Sequence, residues 1–454
     1  MARVNSNASS KSKSSVGRKE GLGADYNATS SNNRYNLRGN RTISAMANKM
    51  KGFLNGASSP AEPHSLAPPK GLSDEQGSIY DQLAEVVKSR NENNIAPPQI
   101  VVITDLAKDL DDLVAMLVLS ELHYLHIIEL KGFVANLMPA EKRARFGRGA
   151  LDLLGLQNIP IARGTEGSLE FFEEHEYEFK CDFMADKDVS ENWYDLLPRL
   201  YEDAAKQDQE IKLLLISSLR DIYFFSRTRE DLLKKVTKEI VIQGGYFVDG
   251  ENKLKATPNV ANNKWDSLSS RNFHTWMQDN DIHSTVFTKI AAYETPLTSD
   301  FFHELEETGH PIGRYLRGVQ LMQDRKFWEA ASSPDESKRF ARNMDTEWFL
   351  KEKSSWYDSH GPEDTKPVGD EIIPYLTKVI IYDAIAAVGT IGDDALKKLQ
   401  VLQDVSDEAA KHRIYGIEAS DKEPRNSGVH GDKMILVIKA LIKGALLRTR
   451  VSPS

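Results

Sequence analysis

Between Pro97 and Ser120 the chain reads PPQIVVITDLAKDLDDLVAMLVLS, so Asp105, Asp109, Asp111 and Asp112 place four carboxylates in eight residues. Carboxylates this close repel one another, and all of them stay ionised when a cation neutralises them. As donors they are hard oxygens, which favour Ca2+ or Mg2+. One or two acids would be ordinary in a first helical turn, where the helix dipole favours negative charge. Four in eight residues point to a cation. Far along the chain, Asp383 stands alone in IIPYLTKVIIYDAIAAV. A carboxylate in so apolar a stretch is expected to be buried and to need a partner, either a metal or an Arg or Lys salt bridge.

The elements around these acids follow from hydrophobic pattern. Ile100 to Thr104 is a β-branched apolar run that reads as a buried strand, and Leu113 to Leu119 is apolar at helical spacing. The acids therefore sit where a strand gives way to a helix, the edge at which open parallel sheets bind ligands. Strand-like runs recur at 127–134 (ending in Ala135-Asn136), 159–162, 211–217, 239–243 and 285–291. Helical stretches lie at 74–88, 139–154, 218–226 and 229–236. This alternation predicts an α/β fold, a doubly wound, mostly parallel open sheet with added helices. Ser168 to Asp195, rich in Glu and aromatics, reads as a loop, and Leu305 to Ser355 as helices with Trp328, Trp348 and Trp356 in core or pocket wall. His274 and His283 lie in polar surroundings and read as surface residues. Met434 to Leu447 is amphipathic and is expected to pack on its own domain or to form a subunit interface, the surface on which a homo-oligomer would assemble. GTIGDD at 389–394 lacks the Lys of a phosphate loop, and Ser217-Ser218 lacks the G-x-S-x-G elbow.

Composition bounds the rest. The chain has 454 residues, a net charge of −9 and one cysteine, Cys181, so an internal disulfide and a Cys-based zinc site are excluded. Residues 1–70 form a basic, Ser- and Asn-rich tail and a Pro-rich linker (SPAEPHSLAPP), expected to be disordered. Residues 71–454 form the folded domain, with 401–454 as a helical extension. The acidic remainder argues against nucleic acid as the main substrate, and no apolar run has the length of a membrane span. The expected compartment is cytoplasmic; the basic tail leaves nuclear and mitochondrial addresses as alternatives.

Four motifs carry a resemblance. TDLAKDLDD resembles the N-terminal Asp cluster of the inosine–uridine-preferring nucleoside hydrolases. GFVANLMPAEKRARFGRGALDLLGLQNIPIARG resembles their second block, EIVIQGGYF their strand ending in Gly-Gly, and YDAIAAV their C-terminal His-Asp-Pro motif. Together the matches cover about residues 97–400. The resemblance implies one Ca2+ at the pocket floor and cleavage of the N-glycosidic bond of a ribonucleoside or related small ribosyl compound. It implies Asp105, Asp112, Asp383 and the Ile216 carbonyl as metal ligands, and Asp111, Asn136 and Asn263 facing the ribose. Such a cation lowers the pKa of a bound water, a carboxylate takes its proton, and anionic groups stabilise the oxocarbenium-like sugar.

The chain also departs from that pattern. In the family's Asp-x-Asp-x-Gly-x-Asp-Asp cluster the second Asp is the base. Aligned without a gap, Ala107 falls on that Asp and Asp109 on the Gly. The base is then Asp105 or Asp109, and Asp105 is preferred because it ends the strand. Ser217-Ser218-Leu219-Arg220-Asp221 replaces the family's Gly-Pro-Leu-Thr-Asn, Ala261 replaces a Glu, and Tyr382 replaces the His that serves the leaving group. These changes support a second reading, a nucleoside- or ribose-binding or regulatory protein that keeps fold and metal without turnover. A third, a metal-dependent phosphohydrolase, would want an Asp-x-Asp pair, and Asp105-Leu106-Ala107 does not supply one.

Overall fold

The computed structural model describes residues 66–168, 174–249, 253–403, 411–418 and 424–450. Most of the basic tail expected from the sequence lies outside them. The strands are β1 (Gln99–Thr104), β2 (Glu129–Ala135), β3 (Ile161–Arg163), β4 (Ile211–Leu215), β5 (Thr237–Gln243), β6 (Tyr246–Val248), β7 (Leu254–Ala256), β8 (Ser284–Phe287) and β9 (His412–Tyr415). Seven form one sheet in the order β3-β2-β1-β4-β5-β8-β9. All its pairings are parallel. β6 and β7 make a separate antiparallel pair. The main helices are α1 (Asp74–Glu92), α2 (Asp111–Tyr124), α3 (Ala140–Leu153), α4 (Trp193–Lys206), α5 (Arg220–Thr228), α6 (Ser267–Asp279), α7 (Pro311–Ala331), α8 (Asp383–Gly389) and α9 (Gly431–Arg448).

Every residue of β1 is buried, because both faces of the sheet are covered. Ile100 and Val102 belong to one core, with side chains from α2, α8 and α9. Val101 and Ile103 belong to the other, with α4, α5 and α6. Side chains that alternate between two apolar layers explain why the strand sequences read as continuous hydrophobic runs. The doubly wound architecture expected from the alternating pattern is the one the chain adopts.

α9 is a core helix: Met434, Val437, Ile438, Leu441 and Ile442 are all buried. Gly444 admits the Tyr80 ring, since a Cβ there would lie 1.7 Å from its hydroxyl oxygen. That hydroxyl donates to Glu121 at 2.8 Å, and Arg448 closes on the same carboxylate at 2.6 Å.

Two expectations are corrected. The segment read as a helical extension also contributes β9, which pairs in register with β8. It is held by Glu239 of β5, which pairs with Lys212 of β4 at 2.7 Å and with Arg413 of β9 at 2.9 Å and accepts from Thr285 of β8 at 2.5 Å. His274 is not a surface residue. It is 2% exposed, its ring lies 4.2 Å from that of Tyr246, and neither ring nitrogen has a hydrogen-bond partner among the described residues. Burial, helped by the charge of His412, pushes it down to about 3. His283 is exposed as expected. Trp328 and Trp356 build a small third core with Phe349, and Trp348 packs against it.

Candidate active site and metal centre

From β1 the chain winds outward to β2 and β3 on one side, while β4 and β5 lie on the other. The direction reverses between β1 and β4, the place where open α/β sheets form a crevice at the carboxyl ends of their strands. Ile103 is in register with Leu215 there, so the turn after Thr104 faces the turn that starts at Ile216.

The turn after β1 gathers the acids. Lys108 N donates to the Asp105 carbonyl at 3.0 Å, and Ala107 takes a φ of 70°. A residue with a Cβ costs about 1 kcal/mol in that left-handed region. The geometry it gives brings Asp109 back onto the start of α2. Asp111 N donates to Asp109 Oδ1 at 3.3 Å, and carboxylate oxygens of Asp109, Asp111 and Asp112 lie within 4.8 Å of one another. Asp112 is fixed from β1, with its Oδ1 accepting from Thr104 Oγ1 at 2.5 Å and from Asp105 N at 3.0 Å. Asp111 reaches across to the far segment, where its Oδ2 accepts from Tyr382 N at 3.2 Å. That contact seats Asp383, the first residue of α8, beside the cluster.

The electrostatics are those of crowded, buried carboxylates. Asp111, Asp112 and Asp383 are buried. Burial, and then the charges of neighbouring carboxylates, hold all three well above the usual carboxylate range. For Asp383 those neighbours are Asp111, Asp112, Asp109 and Asp105. No Lys or Arg pairs with it among the described residues, so the salt-bridge alternative for this carboxylate is not what the fold provides. Asp105 is pushed up to about 6 by burial and then by Asp109, against the opposing pull of Arg143, Lys108 and the Ser217 hydroxyl. A set of anionic oxygens converging in a buried place, with too little positive charge beside it, fits a hard divalent cation.

No protein-family model matches the sequence, and no curated protein is significantly similar to it. Among solved structures, the type III effector protein XopQ, complexed with adenosine diphosphate ribose, is similar at 22% identity with a TM-score of 0.67, over 83% of this chain and 100% of its own. The effector protein XOO4466 is similar at 22% identity and a TM-score of 0.65, over 83% of this chain and 99% of its own. A purine-preferring ribonucleoside hydrolase from Gardnerella vaginalis is similar at 13% identity and a TM-score of 0.48, over 77% and 99%. The chain shares its fold with the two effector proteins.

Within this fold, the two asparagines expected to face ribose make their hydrogen bonds to the protein itself. Asn136 is fully buried. Its Nδ2 donates to the Ser218 carbonyl at 2.9 Å and to Asp221 Oδ2 at 2.6 Å, and its Oδ1 accepts from Ser217 Oγ at 2.5 Å. Asn263 donates to the carbonyls of Gly245 at 2.9 Å and Thr257 at 3.2 Å, and accepts from Tyr246 at 3.2 Å. With their amide hydrogens engaged, both brace the loops at the sheet edge. Ile216 is buried just past β4, its N–H bonded to the Ile103 carbonyl at 3.0 Å.

The sequence also left the rim unassigned. Tyr177 is buried over the acids, its hydroxyl pushed up by burial and by Asp109, and it bonds Gln323 of α7. His175 Nδ1 lies 3.0 Å from Lys326 Nζ. Burial, then Lys108 and Lys326, push this imidazole down to about 4. Tyr293 packs edge-on against Tyr382, with ring centroids 6.4 Å apart. The only advance signal was the aromatic richness of the segment after Ser168. Two surface cavities, of about 410 and about 540 Å3, lie elsewhere, and none of the five acids lines either. No helix of the described residues is long and apolar enough to cross a membrane.

Proposed function

We propose that this chain is a Ca2+-dependent N-ribohydrolase that cleaves the N-glycosidic bond of a ribonucleoside or related ribosyl compound. The observation that carries the reading is the convergence of Asp105, Asp109, Asp111 and Asp112 with Asp383, from a distant segment, at the strand-order reversal. Asp105, Asp112, Asp383 and the Ile216 carbonyl would hold the ion. When bound, the ion supplies positive charge that polarises an attacking water and orients vicinal hydroxyls.

The chain's own residues do the rest. Asp109 is the better proton acceptor of the two candidates. It is half-buried and grouped with Asp111 and Asp112, whereas Asp105 is almost fully enclosed, with Ser217 against its carboxyl. Asp111 then faces the sugar hydroxyls and, with its neighbours, favours the positive charge that develops on the ring. Tyr382, Tyr293, Tyr177 and His175 surround the place of the departing group.

The test is release of the free base, followed by chromatography, from a panel of nucleosides, nicotinamide riboside and ADP-ribose, with Ca2+ or with chelator. ADP-ribose belongs in the panel because XopQ, similar in fold, was solved with it. Calcium-dependent release from any member supports the hydrolase and names its leaving group; no release from all of them sinks it. The second reading, a ribosyl-binding protein without turnover, is favoured by Asn136 and Asn263 being committed to protein partners. Calcium binding together with ligand binding and no release would establish it.

A further inference from the structure

We propose that Arg143, on α3, is the positioning residue of the acidic site: one guanidinium holds the turn that carries Asp105, the loop after β2 and the segment over the rim in register. The inference rests on the cation-site reading above. Arg143 is completely buried. Its Nε donates to the Leu137 carbonyl at 3.1 Å. Its Nη1 donates to the carbonyls of Leu106 at 3.0 Å and Asp105 at 3.4 Å. Its Nη2 donates to the Met138 carbonyl at 2.8 Å and to Glu178 Oε2 at 2.9 Å.

The choice of acceptors is informative. Any buried guanidinium needs acceptors for its N–H groups, so what distinguishes one from another is where those acceptors lie. Arg448 directs its hydrogen bonds to the carboxylate of Glu121, and Arg90 takes Asp394 and the carbonyls of Ile127 and Ile391. Arg143 instead reaches four main-chain carbonyls in two loops at the sheet edge. Each loop contains a residue with a Cβ in the left-handed region, Ala107 at a φ of 70° and Leu137 at 71°. Such residues persist only where their surroundings over-determine the backbone, and a rigid fork of donors is suited to do that. The counter-ion completes the link. The Glu178 side chain is fully buried with Arg143, and its other oxygen accepts from His175 N at 2.9 Å. Floor and rim therefore share one anchor.

The test compares Arg143→Met and Arg143→Lys with Arg448→Met, which removes a buried ion pair remote from the acids. Two quantities are read: calcium affinity by calorimetry, and amide hydrogen exchange without calcium. Arg143→Met should weaken calcium binding at least tenfold. Arg143→Lys should recover only part of it, because one ammonium cannot span both loops. Arg448→Met should stay within twofold of wild type even where it melts lower. In Arg143→Met the amides of Lys108, Leu137 and Met138, bonded to the carbonyls of Asp105, Thr165 and Glu166, should lose protection while β5 keeps it. Unchanged calcium affinity, or exchange that rises evenly through the sheet, would overturn the assignment. If wild type binds no calcium, the functional reading falls and the exchange pattern alone decides on Arg143. If Arg143→Met does not fold, Arg143→Lys carries both comparisons.

Discussion

Replacing Asp112 by Asn should stabilise the calcium-free protein and destabilise it relative to wild type once calcium is added. The substitution is nearly isosteric, and the oxygen that accepts from Thr104 and the Asp105 amide can be kept. What goes is one negative charge among neighbours whose oxygens lie within 4.8 Å. At an effective dielectric of 20, each such pair repels by about 3 kcal/mol. Burial and the neighbouring charges hold the Asp112 carboxyl well above its ordinary range, which offsets part of the repulsion. With about 2 °C per kcal/mol, relieving one such pair should raise the melting temperature in chelator by up to about 6 °C. Calcium at a hundred times its dissociation constant stabilises wild type by about 2.7 kcal/mol, and the variant should forfeit most of that. The sign with pH follows from the raised folded-state value. The wild-type site is least unfavourable below the usual carboxylate range, and the penalty grows as pH rises through the folded-state value. The advantage of Asp112→Asn in chelator should therefore shrink as pH falls from 7 towards 4. Scanning calorimetry at pH 4, 5.5 and 7, with and without calcium, measures all of this. A variant that melts below wild type in chelator at pH 7, with no calcium shift in wild type, would refute both the repulsion and the ion.

Other expectations concern separate sites. Burial alone would raise Glu239, but Lys212, Thr285 and Arg413 outweigh it and hold it at about 2. Glu239→Gln should therefore cost about 3 kcal/mol at pH 7, a difference that shrinks as pH falls below the ordinary value of 4.5; urea unfolding at pH 3.5 and 7 measures it. His274 is the opposite kind of group, a buried imidazole pushed down to about 3. Its share of stability is present above pH 6.5 and declines by about 1.4 kcal/mol per unit below it. His274→Phe should flatten the fall in melting temperature between pH 6.5 and 5, and an unchanged slope would contradict the burial. For turnover, Asp109→Asn should lower kcat by about a hundredfold or more with a smaller loss of calcium affinity, whereas Asp105→Asn should act chiefly on the affinity. Rate assays at saturating calcium beside calorimetry separate them, and the reverse pattern would return the base to Asp105.

The acidic cluster and the central strands were legible because their physics is local. β1 and β4 sit between two apolar layers, so IVVIT and LLLIS announce themselves. Asp383 was legible as a buried carboxylate because its flanks are apolar. β9 was not, since HRIY is an edge strand whose place depends on a salt bridge to Glu239, far back in the chain. The bonds that hold Asn136 and Asn263 within the protein were hidden for a related reason. Their partners include Ser217, Ser218 and Asp221 for one and Tyr246 for the other, and no spacing rule connects them. The proposed preference for Asp109 over Asp105 rests on their different burial, which a letter-by-letter alignment does not display. The rim lies in a segment with no periodicity, where His175 and Tyr177 gain meaning only beside Lys326 and Gln323.

The hydrogen bond between Asp111 and Tyr382 joins residues 271 positions apart, and it has a bearing on the order in which the molecule is made. A chain emerging from the N-terminal side carries its four clustered acids early, when water still screens them. The charge conflict becomes severe only after α8 docks and buries Asp383 among them, when most of the chain already exists. On the cation-site reading, ion capture is then a late step that locks a nearly finished sheet, and a chain truncated before α8 would lack Asp383 both as a part of the conflict and as a ligand.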